Sequence, residues 1–181
     1  MKLLETARLL IRVDTLEEYI EEFNSHNDKE LKEIFGFVND DEILVQRNKL
    51  FGGMKTYRST CIFFHLMLKE NQKVIGAASL HNWYPSHQRA EIGYNIKFEE
   101  YRGKGLMKEA AKAIVDYGFN ELYLNRIEAI IAPENISSKR TVERLGFVQE
   151  GLLKEHYIEN GIISDSLIYG LLKSKYHHKF V

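Results

Sequence analysis

Cysteine occurs once, at Cys61, which excludes an internal disulfide and a cysteine-built metal site. Proline occurs twice, at Pro85 and Pro133, and both positions read as element ends, so no proline-rich linker divides the chain. Neither sign of charge is in excess: 25 Lys and Arg stand against 26 Asp and Glu, a formal net charge of −1. No global field therefore gathers nucleic acid or coats an anionic membrane, and an anionic ligand has to be held by local geometry. No apolar run reaches the roughly eighteen residues that span a bilayer. The N-terminal Met-Lys-Leu-Leu-Glu-Thr lacks the apolar stretch of a signal peptide, and a cytoplasmic protein is the expectation. With 181 residues and 44% apolar content, one full core and one domain over residues 1–181 are expected.

Hydrophobic period places the elements. Arg8 to Val13 reads as a strand, and Asp14 as the cap of a helix to about Asn24 with Leu16, Tyr19, Ile20 and Phe23 on one face. Residues 28–58 are polar and interrupted; Ile43, Val45, Leu50, Phe51 and Met54 point to a helix ending against Gly52-Gly53, a wall or lid beside the sheet. Thr60–Leu68 is a buried strand, Asn71-Gln72 a turn, and Lys73–His81 the returning strand. A loop over Trp83–Gln88 leads to the strand Ala90–Ile96. A helix follows with Leu106, Ala110, Ala111, Ile114, Val115, Gly118 and Leu122 at helical spacing, then a strand Arg126–Ala132 and a short helix Ile136–Leu145. Asn160-Gly161 marks a hairpin between Phe147–Tyr157 and Ile163–Leu172. Three meandering strands before the first crossover exclude a purely parallel sheet. The expected fold class is α/β with a mixed, mostly antiparallel sheet and helices on both faces.

The stretch Glu100-Tyr-Arg-Gly-Lys-Gly-Leu-Met-Lys-Glu-Ala110 carries the most chemistry. Gly103 and Gly105 close an extended run and open a helix. Backbone N–H groups there point at one spot, and the helix dipole adds partial positive charge, which together make a phosphate cradle. A glycine-started helix with solvated basic residues is the plainer alternative. A second element follows about thirty residues on: Asn135-Ile-Ser-Ser138 and then Glu143-Arg-Leu-Gly-Phe147.

This pair of elements resembles the GCN5-related N-acetyltransferase superfamily, whose motif is Gln/Arg-x-x-Gly-x-Gly/Ala at a helix start. The matching positions are Glu100, Gly103 and Gly105, with Glu100 departing from the pattern; Asn135, Ser138, Gly146 and Phe147 match the second element. Ser79-Leu-His-Asn82, Arg89-Ala-Glu-Ile-Gly-Tyr94, Leu124-Asn-Arg-Ile-Glu128 and the ending Glu150 to Leu172 are similar to the branch that includes bacterial ribosomal-protein N-terminal acetyltransferases. The resemblance implies the acyl-CoA N-acyltransferase fold and transfer of acetyl from acetyl-CoA to an amine, with no metal.

It also implies roles. Backbone N–H groups from Arg102, Gly103, Lys104, Gly105, Leu106 and Met107 would bind the pyrophosphate, with Arg102 and Lys104 adding charge. The backbone of Asn95, Ile96 and Lys97 would hold the pantetheine arm and polarise the thioester carbonyl. Many members protonate the leaving thiolate with a tyrosine where this chain has Val142. The branch resembled here has a serine at the position of Ser138, which becomes the candidate acid; capping the short helix is its alternative use. Asn135 is assigned to the pantetheine amide. An exposed ammonium needs a base: Glu91 is the first candidate, then His81 and His156, then Asp165 and Glu150, each of which has a purely structural alternative. Trp83, Tyr84 and Phe64 are candidates for the acceptor pocket or for core, and Cys61 reads as core. The ending Lys175-Tyr-His-His-Lys179 is too short for a metal site.

The acceptor implied is a peptide or protein N-terminus. The alternatives are a small amine, such as a polyamine or an aminoglycoside-like compound, and a non-catalytic acyl-CoA sensor. Spermidine acetyltransferases resemble this chain in the same regions but have Ala and Tyr at the positions of Ser138 and Val142. The acidic run Asn39-Asp-Asp-Glu42 is the nearest thing to a polycation site. Nucleic acid and membrane are not expected partners, and pairing of two copies through the final hairpin edge stays open as a homo-oligomer.

Overall fold

The computed structural model describes residues 2–52, 56, 59–159 and 161–176. Met54, Asn160 of the expected hairpin signal and the His177-His178 pair lie outside them. Eight strands form one sheet: β1 (Lys2–Glu5), β2 (Leu9–Thr15), β3 (Thr60–Leu68), β4 (Val74–Tyr84), β5 (Arg89–Ile96), β6 (Arg126–Ile131), β7 (Val148–Glu159) and β8 (Ile162–Leu172). The helices are α1 (Leu16–Ser25), α2 (Asp28–Phe35), α3 (Asp40–Phe51), α4 (Leu106–Asn120), α5 (Ile136–Leu145) and α6 (Lys173–Tyr176). The strand order is β1-β2-β3-β4-β5-β6-β8-β7, and among the described residues only β5 and β6 run parallel. The mixed, mostly antiparallel sheet expected from the sequence is what forms.

Alternation along β3 divides the core. Ile62, Phe64, Leu66 and Leu68 join Leu80, Ala90, Ile92 and the apolar stripe of α4, with Val142 and Leu145 of α5. Cys61 and Phe63 face the other way, onto Leu16, Tyr19 and Phe23 of α1, Leu31 and Phe35 of α2, and Ile43 and Leu50 of α3. Helices thus cover both faces. Cys61 is core, and burial pushes its thiol up to about 11.

Local chemistry corrects several expectations. Asp14 is not the cap of α1. Thr15 takes that place in a capping box with Glu18, because Asp14 still belongs to the strand, where it is buried and bonded by Arg12 Nε at 2.8 Å. The described part of 28–58 holds two helices: Asn27 and Asn39 each cap a start, and Gly36 at φ 65° ends α2. Val45 and Phe51 are exposed, so the apolar spacing expected there does not describe the buried face of α3. Trp83 and Tyr84 belong to β4 rather than to a loop, which is confined to a short 3-10 turn at Pro85–His87. Strand β1 and helix α6 have no counterpart in the sequence reading.

The feature that positions the site is where β5 and β6 part. They pair over Arg89↔Arg126, Ala90↔Ile127 and Glu91↔Glu128, and nowhere further. Strand β5 continues to Ile96 along β4, while β6 continues along β8. The upper half of β5 therefore has an open edge of backbone donors and acceptors.

Candidate active site

Glycine and helix geometry build the first wall of a cleft of about 570 Å³ beside that edge. Gly103 and Gly105 have φ of 73° and 76°, in the left-handed region that L side chains avoid. No side chain caps α4 at Gly105, so the first-turn N–H groups have neither a cap nor an intrahelical acceptor. A Cβ at Gly103 would meet nothing within 4 Å, and one at Gly105 only Arg8 Nη2 at 3.7 Å. The space over the turn is open, as an entering phosphate requires. Arg8 and Glu109 brace the turn from behind: Arg8 Nη1 donates to Lys104 O at 2.9 Å, and Arg8 Nε to Glu109 Oε2 at 2.8 Å.

The cleft brings together most of the expected cofactor residues: Asn95, Ile96, Arg102, Gly103, Gly105, Leu106, Met107, Asn135 and Ser138 all line it. Lys97 and Lys104 do not. The Lys97 N–H donates to Ile75 O at 2.9 Å and its carbonyl accepts from Arg102 Nη2 at 3.3 Å, so its backbone is engaged within the sheet end. The Lys104 ammonium lies 5.8 Å from the Tyr101 ring centroid, and the residue contributes its carbonyl to Arg8. Three cations missed by the sequence reading supply charge instead: Lys108, Arg140 and Arg144. The last two lie one turn apart on α5, a spacing legible in the sequence. With Arg102 the cleft has four basic lining residues and no acidic one, in a chain of net charge −1.

Asn135 caps α5, its Oδ1 accepting from Ser138 N at 3.1 Å and Ser137 Oγ at 2.9 Å. Capping thus falls to Asn135 rather than Ser138. Tyr94, another residue given no role in the sequence analysis, donates its hydroxyl to Ser138 O at 3.4 Å. Burial pushes the Tyr94 phenol up to about 12, so it keeps its proton. Val142 is fully buried.

Tyr94, Asn95 and Arg102 also line a second cavity, of about 760 Å³, on the α1–α3 face of the sheet. Its walls include Tyr19, Phe35, Phe37 and Phe63, with Asp41, Glu42 and Lys49 of α3. Phe64 is excluded: it points to the α4 face and packs edge-on against Tyr117. Trp83 and Tyr84 do not reach the cavity either; Tyr84 lies under the Arg89 guanidinium at 4.5 Å. Lys97 Nζ bonds Gly36 O at 2.8 Å and Glu42 Oε2 at 3.2 Å, tying α2 and α3 to the sheet. Burial pulls the Lys97 ammonium down, and Glu42 partly restores it. His65 is buried against Tyr19 and Phe35, and burial drives its imidazole down to about 3, so it is neutral.

The base candidates fall into two sets: Glu91, His81 and His156 lie close together, whereas Asp165 and Glu150 are held in other ion pairs. Glu91 lines neither cavity; it lies on the same face of β5 as Gly93, beyond the cavity's end, bonded to Asn82 Nδ2 at 3.1 Å and 3.3 Å from His81 Nε2. Asp165 accepts from Lys154 Nζ and the Glu155 N–H, and Glu150 pairs with Arg126. Both carboxylates are thereby tied up in surface ion pairs.

The family model described as Acetyltransferase (GNAT) domain matches residues 8–148. The uncharacterized N-acetyltransferase p20 of Bacillus licheniformis is 39% identical over 113 residues, 62% of this chain and 63% of that protein, just under two thirds of its length. The spermidine N(1)-acetyltransferase of Escherichia coli K12 is 36% identical over 50% of this chain and 48% of its own. The [ribosomal protein uS5]-alanine N-acetyltransferase of the same strain is 30% identical over 63% and 59%. The crystal structure of a GNAT-family acetyltransferase from Bacillus anthracis is similar over 96% of this chain and 99% of its own, at 28% identity and a TM-score of 0.67.

Proposed function

This chain belongs to the GNAT acetyltransferase family, and on that premise we propose that it moves acetyl from acetyl-CoA to the N-terminal amino group of a peptide or protein. The observation that carries the reading is the meeting of two unlike cavities at Tyr94, Asn95 and Arg102. One has a glycine turn, a helix start and only basic charge, and fits a pyrophosphate. The other has an aromatic floor and mixed charge, and fits an amine with its neighbouring groups. Acetyl-CoA supplies an acetyl group activated as a thioester. Gly103, Gly105 and the first turn of α4 would hold its phosphates, and the edge of β5 at Asn95 and Ile96 its extended arm, with Arg102 Nε already donating to the Ile96 carbonyl at 3.1 Å. Ser138, in the cleft with its hydroxyl not used as a cap, is the candidate to give the departing thiolate a proton.

Charge distinguishes the acceptors. A polycation needs an acidic site, but Asp41 and Glu42 in the second cavity are offset by Lys49, Lys97 and Arg102. This supports the peptide reading. A small-amine acceptor is the second reading, favoured by Asp41 and Glu42 lining the cavity at all and by the spermidine-acetylating relative. The test is CoA release from acetyl-CoA with ribosomal-protein-like N-terminal peptides, with spermidine and with an aminoglycoside. Peptide-dependent release is expected; release with spermidine alone would move the protein to the second reading.

A further inference from the structure

We propose that the acceptor's ammonium proton leaves the second cavity through a relay of Ser79, His81 and Glu91, with His81 the base and Glu91 the group that orients it. The inference rests on the amine-acetylating reading above and gives that reaction its proton exit.

The relay follows from strand periodicity. Ser79 and His81 alternate on the cavity face of β4, and across from them on β5 stand Gly93 and Glu91 in direct register. Ser79 and Gly93 line the cavity. Ser79 Oγ lies 3.0 Å from His81 Nδ1, and His81 Nε2 lies 3.3 Å from Glu91 Oε1. Gly93 leaves the imidazole its place: a Cβ there would come within 3.0 Å of His81 Cε1.

The direction of the hydrogen bonds can be deduced. Burial pushes the Glu91 carboxyl up, but hydrogen bonds from His81 and Asn82, together with the nearby His156 imidazole, outweigh it and hold the group below the usual carboxylate range. Glu91 is then an anion, which only accepts. His81 Nε2 must carry the hydrogen; in the form of the ring that acts as base, Nδ1 then holds a lone pair and Ser79 donates its O–H to it. The Ser79 oxygen is left with lone pairs to offer an ammonium in the cavity. When the amine gives up a proton, Ser79 Oγ receives it as the Ser79 proton passes to His81 Nδ1. The neutral nitrogen then bonds to the acetyl carbon, the carbon–sulfur bond breaks, and the nitrogen loses a second proton as the thiolate gains one. The products are amide, CoA thiol and one proton, which the His81 imidazolium returns to water.

Other charges act on the pair. On β6, Glu128 is the register partner of Glu91 and is held by Arg89 at 2.9 Å and Arg126 at 2.8 Å. On β7, His156 and Tyr157 both interact electrostatically with Glu91. A bulge brings them there: Leu153 pairs with Ser166 and Tyr157 with Ser164, which inserts two extra residues, and Asp165 pins the bulge through the Glu155 N–H at 2.9 Å.

The experiment compares acceptors of different amine pKa in wild type, S79A and H81Q. Loss of a proton relay should lower kcat/KM on the order of a hundredfold for an amine that is charged at the assay pH. It should cost less than about threefold for an analogue whose amine is already neutral. Equal losses on both amines would mean a merely structural role and would overturn the relay, as would no loss on either. Nitrogen NMR of the His81 ring reads the same claim without turnover. The Nε2–H tautomer is expected in wild type, and the Nδ1–H tautomer would sink the proposal. Wild type that acetylates spermidine but no peptide refutes the acceptor reading alone, and the relay is then measured on spermidine. Wild type inactive on every amine refutes the reaction, and the tautomer still decides the hydrogen-bond order.

Discussion

The glycine-turn cleft and the aromatic cavity touch at Tyr94, Asn95 and Arg102, yet they are made by different means. The cleft is largely backbone: two glycines at positive φ, an uncapped helix start and a strand edge without a partner strand. These backbone parts adjoin in sequence, and Asn135, Ser138, Arg140 and Arg144 add side chains from the start and length of α5. The cavity is side chain throughout, assembled from α1, α2, α3 and three strands that alternate their faces. A backbone site binds what all its cosubstrates share, whereas a side-chain site can differ from one relative to the next.

The sharpest way to break this contrast is at Gly105. G105E places a carboxylate in the cradle and forces an L residue to φ 76°. Acetyl-CoA affinity should fall about a thousandfold, roughly 4 kcal/mol, measured by calorimetry. The backbone strain itself should cost only about 1–2 kcal/mol of stability. Cofactor binding that survives would mean that the turn is not the phosphate site. Next in size is S138A. Turnover should fall on the order of tenfold to a hundredfold, with the acetyl-CoA dissociation constant unchanged within about twofold. Unchanged turnover would transfer thiolate protonation to water or to the Tyr94 hydroxyl, and Y94F would separate those two.

The contrast also sets what could be read from the sequence. The end of α5 at Leu145 is legible because its apolar period stops at a glycine, and the whole of β3 because it is one largely apolar run followed by a turn. The glycine turn and Ser138 come from short contiguous motifs. The aromatic wall does not: Phe63 and Phe64 are adjacent in the sequence, and only the pleat decides that Phe63 meets the cavity and Phe64 the core. The choice between Glu91 and His81 as base is not legible for a related reason. Residue type marks both as titratable, but which one reaches the cavity through Ser79 depends on cross-strand register. Thr15 displaces Asp14 as cap because β2 runs two residues further than its apolar pattern, through Asp14 to Thr15.

A third measurement concerns the buried floor of the cavity. His65 is neutral in the fold because burial drives its pKa from 6.5 to about 3, and the Arg12 and Lys97 charges add to the shift. Its folded pKa lies below the unfolded one, so as pH falls from 6.5 towards 3 the unfolded chain takes up a proton that the fold refuses, and stability drops. The unfolding constant should change by at most about tenfold per pH unit from this group. Urea titrations of H65F should show a shallower decline than wild type over that window. Parallel declines would mean that the cavity floor opens to water.

The smallest expected effect bears most directly on the acceptor. Asp41 is exposed at the cavity rim, and its carboxylate is one of two there, set against the Lys49, Lys97 and Arg102 cations. An exposed charge of this kind is worth about 0.2–1 kcal/mol, because water and salt screen it. D41N should therefore change the ratio of kcat/KM for peptide over spermidine by about twofold to fivefold, in favour of the peptide. If spermidine use instead collapses by more than about tenfold while peptide use is untouched, Asp41 is desolvated by a bound polycation and the charge balance described here is not the one the acceptor meets. A ratio that does not move would place selection deeper, on the aromatic residues around Tyr19 and Phe63, where neutral contact rather than charge would distinguish one amine from another.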